Sequence, residues 1–398
     1  MQSSRTPTPS CRSWLVAWSC LGLLACAREA REPQPLGALP SAVTTAEPLF
    51  LPFAIRAGKA VAADPRERHL ADLRRLTFDG RALHAVWSPD GRSLLVESAG
   101  AGDACSSVAE LDLEHGELRR VSPDGAPAHG PAFDRDGHAL FAVASAGADC
   151  RGDVARSLAF EAPRASTGIR SADAAAPALG SLGADPSELA RSPDGRAFAF
   201  TSTRDGNPEL YLFAIGDGEP RRLTDRPGYD GMAAFSPDGT RLAWQGAAAA
   251  PEAAERPSSA RGTPPTTAGT RTRTLGIFVA GSAGQHPVAV VAAVGLNVGP
   301  AFFPDSRRLV FASDREAVGA TTGAARDFEL FAVDPDGPAT ATGGPALERV
   351  TYAAGFDGWA RFSPDGKYLV FTSSRDAGRG SAPAGPGDTD VYVARWVD

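Results

Sequence analysis

The 398-residue chain holds no apolar run of transmembrane length; the run from Trp14 to Ala25 is only about a dozen residues. A bilayer-spanning helix needs about 20. Lysine and arginine form no dense stretch, and the net charge is -7. That balance argues against a broad nucleic-acid footprint. There is no Gly-x-x-x-x-Gly-Lys loop for phosphates, no Cys-x-x-Cys pair and no Gly-x-Ser-x-Gly elbow. Phosphate-loop, dithiol and serine-hydrolase chemistries therefore lose their usual carriers. What is abundant is Gly (43) and Pro (33), with 43% hydrophobic residues. Turn formers in that number favour many short strands around a full core.

The N-terminus reads as an export signal: Arg5 and Arg12 precede the short apolar run, which ends Leu23-Leu24-Ala25-Cys26. A small residue before Cys, with Leu three positions ahead of the Cys, resembles the lipobox of bacterial lipoproteins. The resemblance implies cleavage after Ala25 and a lipid on Cys26. The alternative is an ordinary cleaved signal with a chance cysteine. Residues 27–48 are rich in Ala, Pro and Glu and read as a tether. In residues 49–69 only Leu49-Phe50-Leu51 suggests a strand. Of five cysteines, Cys105 and Cys150 alone fall beyond the signal region. An even pair in an oxidising compartment points to a disulfide, with free or metal-binding thiols as the alternative.

Internal repetition dominates the rest. An aromatic residue, Ser-Pro-Asp-Gly and an apolar alternation recur at Trp87–Gly91, Phe235–Gly239 and Phe362–Gly366. Degraded copies stand at Phe133–Gly137, Arg191–Gly195 and Phe302–Ser306, so the spacing is about 44 to 67 residues. Pro presets φ, Asp bonds nearby backbone and Gly tolerates positive φ, so each copy predicts a turn between antiparallel strands. A third strand follows, as in Glu209–Phe213, Glu329–Val333 and Asp390–Ala394. A fourth ends in an element such as Arg222-Leu223-Thr224, Arg120-Val121-Ser122 or Arg349-Val350-Thr351. The last repeat has only three strands before Asp398, while Arg75-Leu76-Thr77 stands unmatched ahead of the first turn. Residues near 72–77 are therefore expected to complete the last blade and close the ring.

The pattern resembles the TolB-like propeller repeat, which also occurs in the propellers of prolyl oligopeptidase relatives. It covers roughly residues 70–398. It implies an all-β, six-bladed β-propeller closed by an N-terminal strand in the last blade. The expected organisation is a signal over 1–25, a tether and an unassigned segment over 26–69, and the propeller over 70–398. TolB carries an α/β domain before its propeller; the stretch between Cys26 and residue 70 is too short for one. The resemblance therefore does not transfer a Tol-system role directly.

By analogy with propellers, the loops from outer to next inner strand share one face with the second-to-third-strand loops. Residues 246–273, 316–327 and 377–388 swell that second class of loop and read as a binding rim or as tolerated filler. Cys105 and Cys150 fall in equivalent loops of neighbouring blades. His84, His129, Asp230, Asn297 and Asp357 are expected at the channel mouth, as a polar ring or as loop residues binding water. The six histidines are scattered without tight spacing, so converging histidines and carboxylates are not expected there. Arg204, Arg315 and Arg375 each end a second strand in a Ser-x-Arg setting, which reads as architecture.

These readings point to a non-catalytic, monomeric binding or scaffold lipoprotein of the cell envelope, with no cofactor and no nucleic-acid partner. Its partner would be an envelope protein or a peptidoglycan-associated molecule, and lipid on Cys26 would hold it to the membrane. The alternative is a metal-dependent lyase or hydrolase acting on a glycan or peptide at the channel mouth. A sensor for a small ligand is a third reading.

Overall fold

The recurring turn is held together by its own side chains. In the computed structural model, which describes residues 54–99, 105–134, 136–144, 166–171, 187–215, 219–247, 274–291, 294–317, 327–340, 344–376 and 388–398, the Ser88 hydroxyl donates to Asp90 Oδ1 at 2.6 Å and accepts the Ser93 amide at 2.9 Å. Asp90 also accepts the Arg92 amide at 3.1 Å. The same bonds recur at Ser192 and Asp194, Ser236 and Asp238, and Ser363 and Asp365. Each Asp is thus spent on its turn. Gly366 closes its copy at φ +71, and a Cβ there would lie 2.7 Å from Pro304 in the preceding turn. Only glycine fits that approach without movement.

Each turn joins an inner strand to a second strand. The inner strands are Ala82–Trp87, Ala128–Phe133, Ser187–Arg191, Asp230–Phe235, Asn297–Phe302 and Asp357–Phe362. Each packs against the inner strand before and after it, and the last packs against the first, so the circle closes. Four sheets have four antiparallel strands and the closing sheet has five. The described residues therefore form five complete blades where six were expected. The remaining sheet, of Ala128–Phe133, Ala139–Ala144 and Ser166–Ser171, has three strands, and residues 172–186, which follow its third strand, lie outside the described residues. The propeller class holds.

Closure uses the strand Leu70–Arg75, which pairs antiparallel with Asp390–Trp396 and so begins two residues before the expected span. Lys59–Ala60 adds a fifth strand on its far side. The Arg-x-Thr element explains the lock. Thr77 Oγ1 donates to Asp390 Oδ1 at 2.7 Å and accepts the Val391 amide at 2.9 Å, while Arg75 pairs with Asp390 at 2.5 Å. The equivalent trio is Arg222, Thr224 and Glu209 in one interior blade and Arg349, Thr351 and Glu329 in another. Between blades, aromatic side chains fill the gaps: Phe303, Phe328, Phe356, Phe371 and Tyr392 share one cluster, all essentially buried. Burying a side chain of that size contributes about 1.5–3 kcal/mol.

Cys26 and Cys150 lie outside the described residues, as do Leu49–Leu51 and nearly all of the three long loops. Cys105 is disulfide-bonded.

Replacing Thr77 by Val removes a donor and an acceptor from a buried lock while keeping the shape. We expect Thr77→Val to cost about 1–3 kcal/mol, the penalty for leaving Asp390 and the Val391 amide under-satisfied. Urea unfolding of the two proteins measures it, and an unchanged midpoint would show that closure does not rest on this contact.

Candidate functional site

In five of the six inner strands the pairing with the neighbour shifts register at equivalent places, for example between His129 and Ala132, Gly231 and Ala234, and Gly358 and Arg361, and in Ala82–Trp87 it shifts earlier, between Ala82 and His84. In five of the inner strands the residue at this bulge is left-handed: Gly130, Glu188, Met232, Gly299 and Trp359, with φ between 52° and 62°. A bulge re-aims its side chain, and four of these five line a central cavity together with His84. Glu188, Met232 and Trp359 hold that conformation without being glycine. Such backbone costs on the order of 1–3 kcal/mol per residue and clusters at working sites.

The cavity has a water-accessible volume of about 70 Å³, room for roughly five waters. Glu97, on the second strand Ser93–Ser98, organises one side. It is 1% exposed. His84 Nδ1 donates to its Oε2 at 3.0 Å, His129 Nδ1 donates to its Oε1 at 3.0 Å, and the Gly130 amide donates to Oε2 at 3.0 Å. Burial alone would raise the Glu97 carboxyl; the charge on His84 and the hydrogen bonds from both histidines outweigh it and hold the group well below the usual carboxylate range. A carboxylate on Nδ1 selects the Nδ1–H tautomer and leaves Nε2 as the basic nitrogen. His84 Nε2 is buried and has no hydrogen-bond partner. The His84 ring stands edge-on to Trp359, centroids 4.6 Å apart.

Glu188 organises the opposite character. It accepts bonds from Thr201 Oγ1, from the Tyr229 hydroxyl at 2.7 and 2.8 Å, and from the Met232 amide at 3.0 Å. Burial dominates and pushes this carboxyl up. Tyr229 is pushed well up by burial and by the Glu188 charge. Gln245 links the pair onward, donating to Tyr229 at 3.4 Å and accepting the Gly299 amide at 2.8 Å.

Of the residues singled out by sequence, His84 and His129 meet on Glu97 at this cavity. Asp230, Asn297 and Asp357 do not reach it. They occupy the first position of their inner strands and bond within their own blades. Asp230 accepts Trp244 Nε1 at 2.9 Å and pairs with Arg226. Asn297 donates to Leu275 O at 2.7 Å and accepts from Ser313 and Arg315. Asp357 pairs with Arg375 at 3.0 Å, and Arg375 also pairs with Glu67. Arg204, Arg315 and Arg375 each donate from Nε to the Ser two residues before, and each lies over an aromatic ring of its own blade. The expectation that histidines and carboxylates would not converge is thus corrected: the closed ring brings residues 84, 97 and 129 together. Glu97, Glu188, Gln245, Trp359 and Arg361 went unnoticed. Their signal lies in the repeat. At the Glu97 position the other second strands carry Ala142, Thr201, Gln245, Ala312 and Thr372.

Neither a family model nor a curated protein matches the chain. Among solved structures it is similar to a TolB protein from Agrobacterium tumefaciens, at 20% identity and TM-score 0.49, covering 80% of this chain and 90% of that one. It is similar to a gluconolactonase from Xanthomonas campestris, at 16% identity and TM-score 0.49, covering 86% and 98%. An oligogalacturonate lyase in complex with manganese matches at 14% identity and TM-score 0.41, covering 86% and 98%. The expectation of a protein without chemistry is accordingly withdrawn. Enzymes stand beside TolB among these similar structures.

The two cavity glutamates predict opposite pH responses. The folded value of Glu97 is depressed, so its stabilisation is full above its unfolded value of about 4.5 and drains as pH falls below that. The folded value of Glu188 is raised, so its contribution is full below about 4.5 and is lost as pH rises through the folded value. Chemical denaturation across pH should show Glu97→Gln losing the steep acid limb, and Glu188→Gln gaining on the parent as pH rises. Parallel curves at every pH would contradict both assignments.

Proposed function

We propose that the protein is an enzyme of the lyase or hydrolase kind that transfers a proton to or from a small molecule in the central channel. The observation that carries this is His84, held by Glu97 through Nδ1 with a buried, unpartnered Nε2 on the cavity wall. Glu97 orients the ring and stabilises the imidazolium formed when Nε2 accepts a proton; the same nitrogen then returns it. Glu188, favoured neutral by burial, is a proton donor on the same wall. Strained backbone at Glu188, Met232 and Trp359 supports a site under functional constraint.

Proton transfer is favoured over metal ligation. Both histidines spend Nδ1 on Glu97, and among the described residues the one group of three metal-ligating side chains is Asp134, Asp136 and His138, in a surface turn. There Asp134 accepts the amides of Asp136 and His138 and the His138 ring, which closes the turn. The reading takes the three-stranded sheet as a sixth blade. It also keeps the exported, lipid-anchored location at Cys26, the envelope or peptidoglycan setting of its substrate and the Cys105–Cys150 disulfide as proposals.

The test is turnover of a panel of neutral and acidic oligosaccharides, lactones and peptides by the purified mature chain. We expect at least one to be turned over, and His84→Gln and Glu97→Gln to lose about 100-fold or more while remaining folded. A substrate turned over equally by His84→Gln, or no turnover across the panel, would overturn the proposal.

A further inference from the structure

Arg361 is the departure from the repeat that neither the turns nor the acid–base pair explains. It occupies the last position but one of the last inner strand, where the other five carry Val86, Ala132, Ala190, Ala234 and Ala301. It lines the cavity. Its Nη1 donates to Ala360 O at 2.8 Å and Gly299 O at 3.2 Å. No ion pair reaches it among the described residues, whereas the buried Arg375 has two carboxylates. Burial, with no acid opposing it, pushes its pKa down to about 10. The two carboxylates on the same wall are already engaged, Glu97 by two histidines and an amide, Glu188 by Thr201, Tyr229 and an amide.

A guanidinium withdrawn from water without a counter-charge is expensive. Among the described residues its Nε and Nη2 donors have no acceptor, and a planar fork of this kind matches a carboxylate. Among the described residues no second arginine or lysine lines the cavity, and both histidines there face the Glu97 carboxylate, so one positive charge without its own acid is on offer. That suits a monoanion better than a dianionic phosphate. The apolar faces of Trp359 and Met232 border the same space.

We infer that Arg361 is the anchor of a carboxylate subsite, so that the small molecule handled in this channel carries a carboxylate group. The inference rests on the acid–base reading for its meaning, but its test does not. Acetate is the probe, with acetamide as the neutral isostere and inorganic phosphate as the competing anion, each titrated into the full mature chain by calorimetry and followed by NMR. Saturable acetate binding is expected, with acetamide and phosphate at least about tenfold weaker. The Arg361 Nε–H resonance should move with acetate. Arg361→Gln should weaken acetate about tenfold or more, while Arg119→Gln, on the exposed outer strand Leu118–Arg120, should bind it as the parent does. Equal binding of acetate and acetamide, preference for phosphate, an Arg361 resonance that stays still, or unchanged affinity in Arg361→Gln each overturns the inference. The resonance decides the matter should Arg361→Gln fail to fold. Carboxylate binding without any His84-dependent turnover would sink the enzyme reading and leave this one standing; the reverse result would do the opposite.

Discussion

Everything at the centre of the molecule depends on one non-local pairing, the strand Leu70–Arg75 laid against Asp390–Trp396. The partners are more than three hundred residues apart in sequence, so the contact is entropically costly to form. It is made secure by placing side-chain bonds where the backbone ladder ends. Thr77 and Arg75 both converge on the buried Asp390, and Thr77 also takes the Val391 amide. Without this pairing the last blade would expose an edge strand. The inner strand Asp357–Phe362 would also lose its fixed position beside Ala82–Trp87, and with it Trp359 would leave His84 and Arg361 would leave the cavity wall.

The ring imposes a second constraint, on charge. Inner strands carry their side chains into a space with little water, so each ionisable group there needs a stated partner. The structure answers in three ways. Glu97 is kept ionised by two imidazoles and an amide. Glu188 sits among hydroxyls and an amide, with burial favouring its neutral form. Among the described residues Arg361 is given only carbonyl oxygens. Carboxylates of both characters on one wall are the arrangement acid–base chemistry requires, because a donor and an acceptor must coexist at one pH. The guanidinium adds a fixed positive charge that no acid among the described residues neutralises.

Much of the architecture was legible because it repeats. Ser-Pro-Asp-Gly announces each hairpin through bonds that stay within five residues, and Arg-x-Thr announces each outer strand. The unmatched copy of the latter predicted closure to within two residues. Glu97 was hidden for the opposite reason. In sequence it ends an apolar strand and reads as the polar member of an alternation. Its partners lie 13 and 32 residues away on other strands, and only the register of His84 against Glu97 makes them neighbours. Asp230, Asn297 and Asp357 misled because they stand at the head of the right strands, yet the bulge that follows turns the third residue, not the first, toward the channel. That bulge is written in no motif: its positions hold Gly130, Glu188, Met232, Gly299 and Trp359, residues with no shared chemistry.

The repeat can nevertheless be used in reverse. Blades built from one pattern are internal controls for one another, so a side chain that every copy shares is explained by the fold, and one that a single copy carries is not. Shared residues such as the turn aspartates and the Ser-x-Arg arginines prove to be locked into local bonds. The unshared ones, His84, Glu97, Glu188 and Arg361, come from three different blades and face one space. Independent structural requirements in separate blades have no reason to converge there. Under the proposed function these residues do, because a single ligand in the channel would touch all of these blades at once.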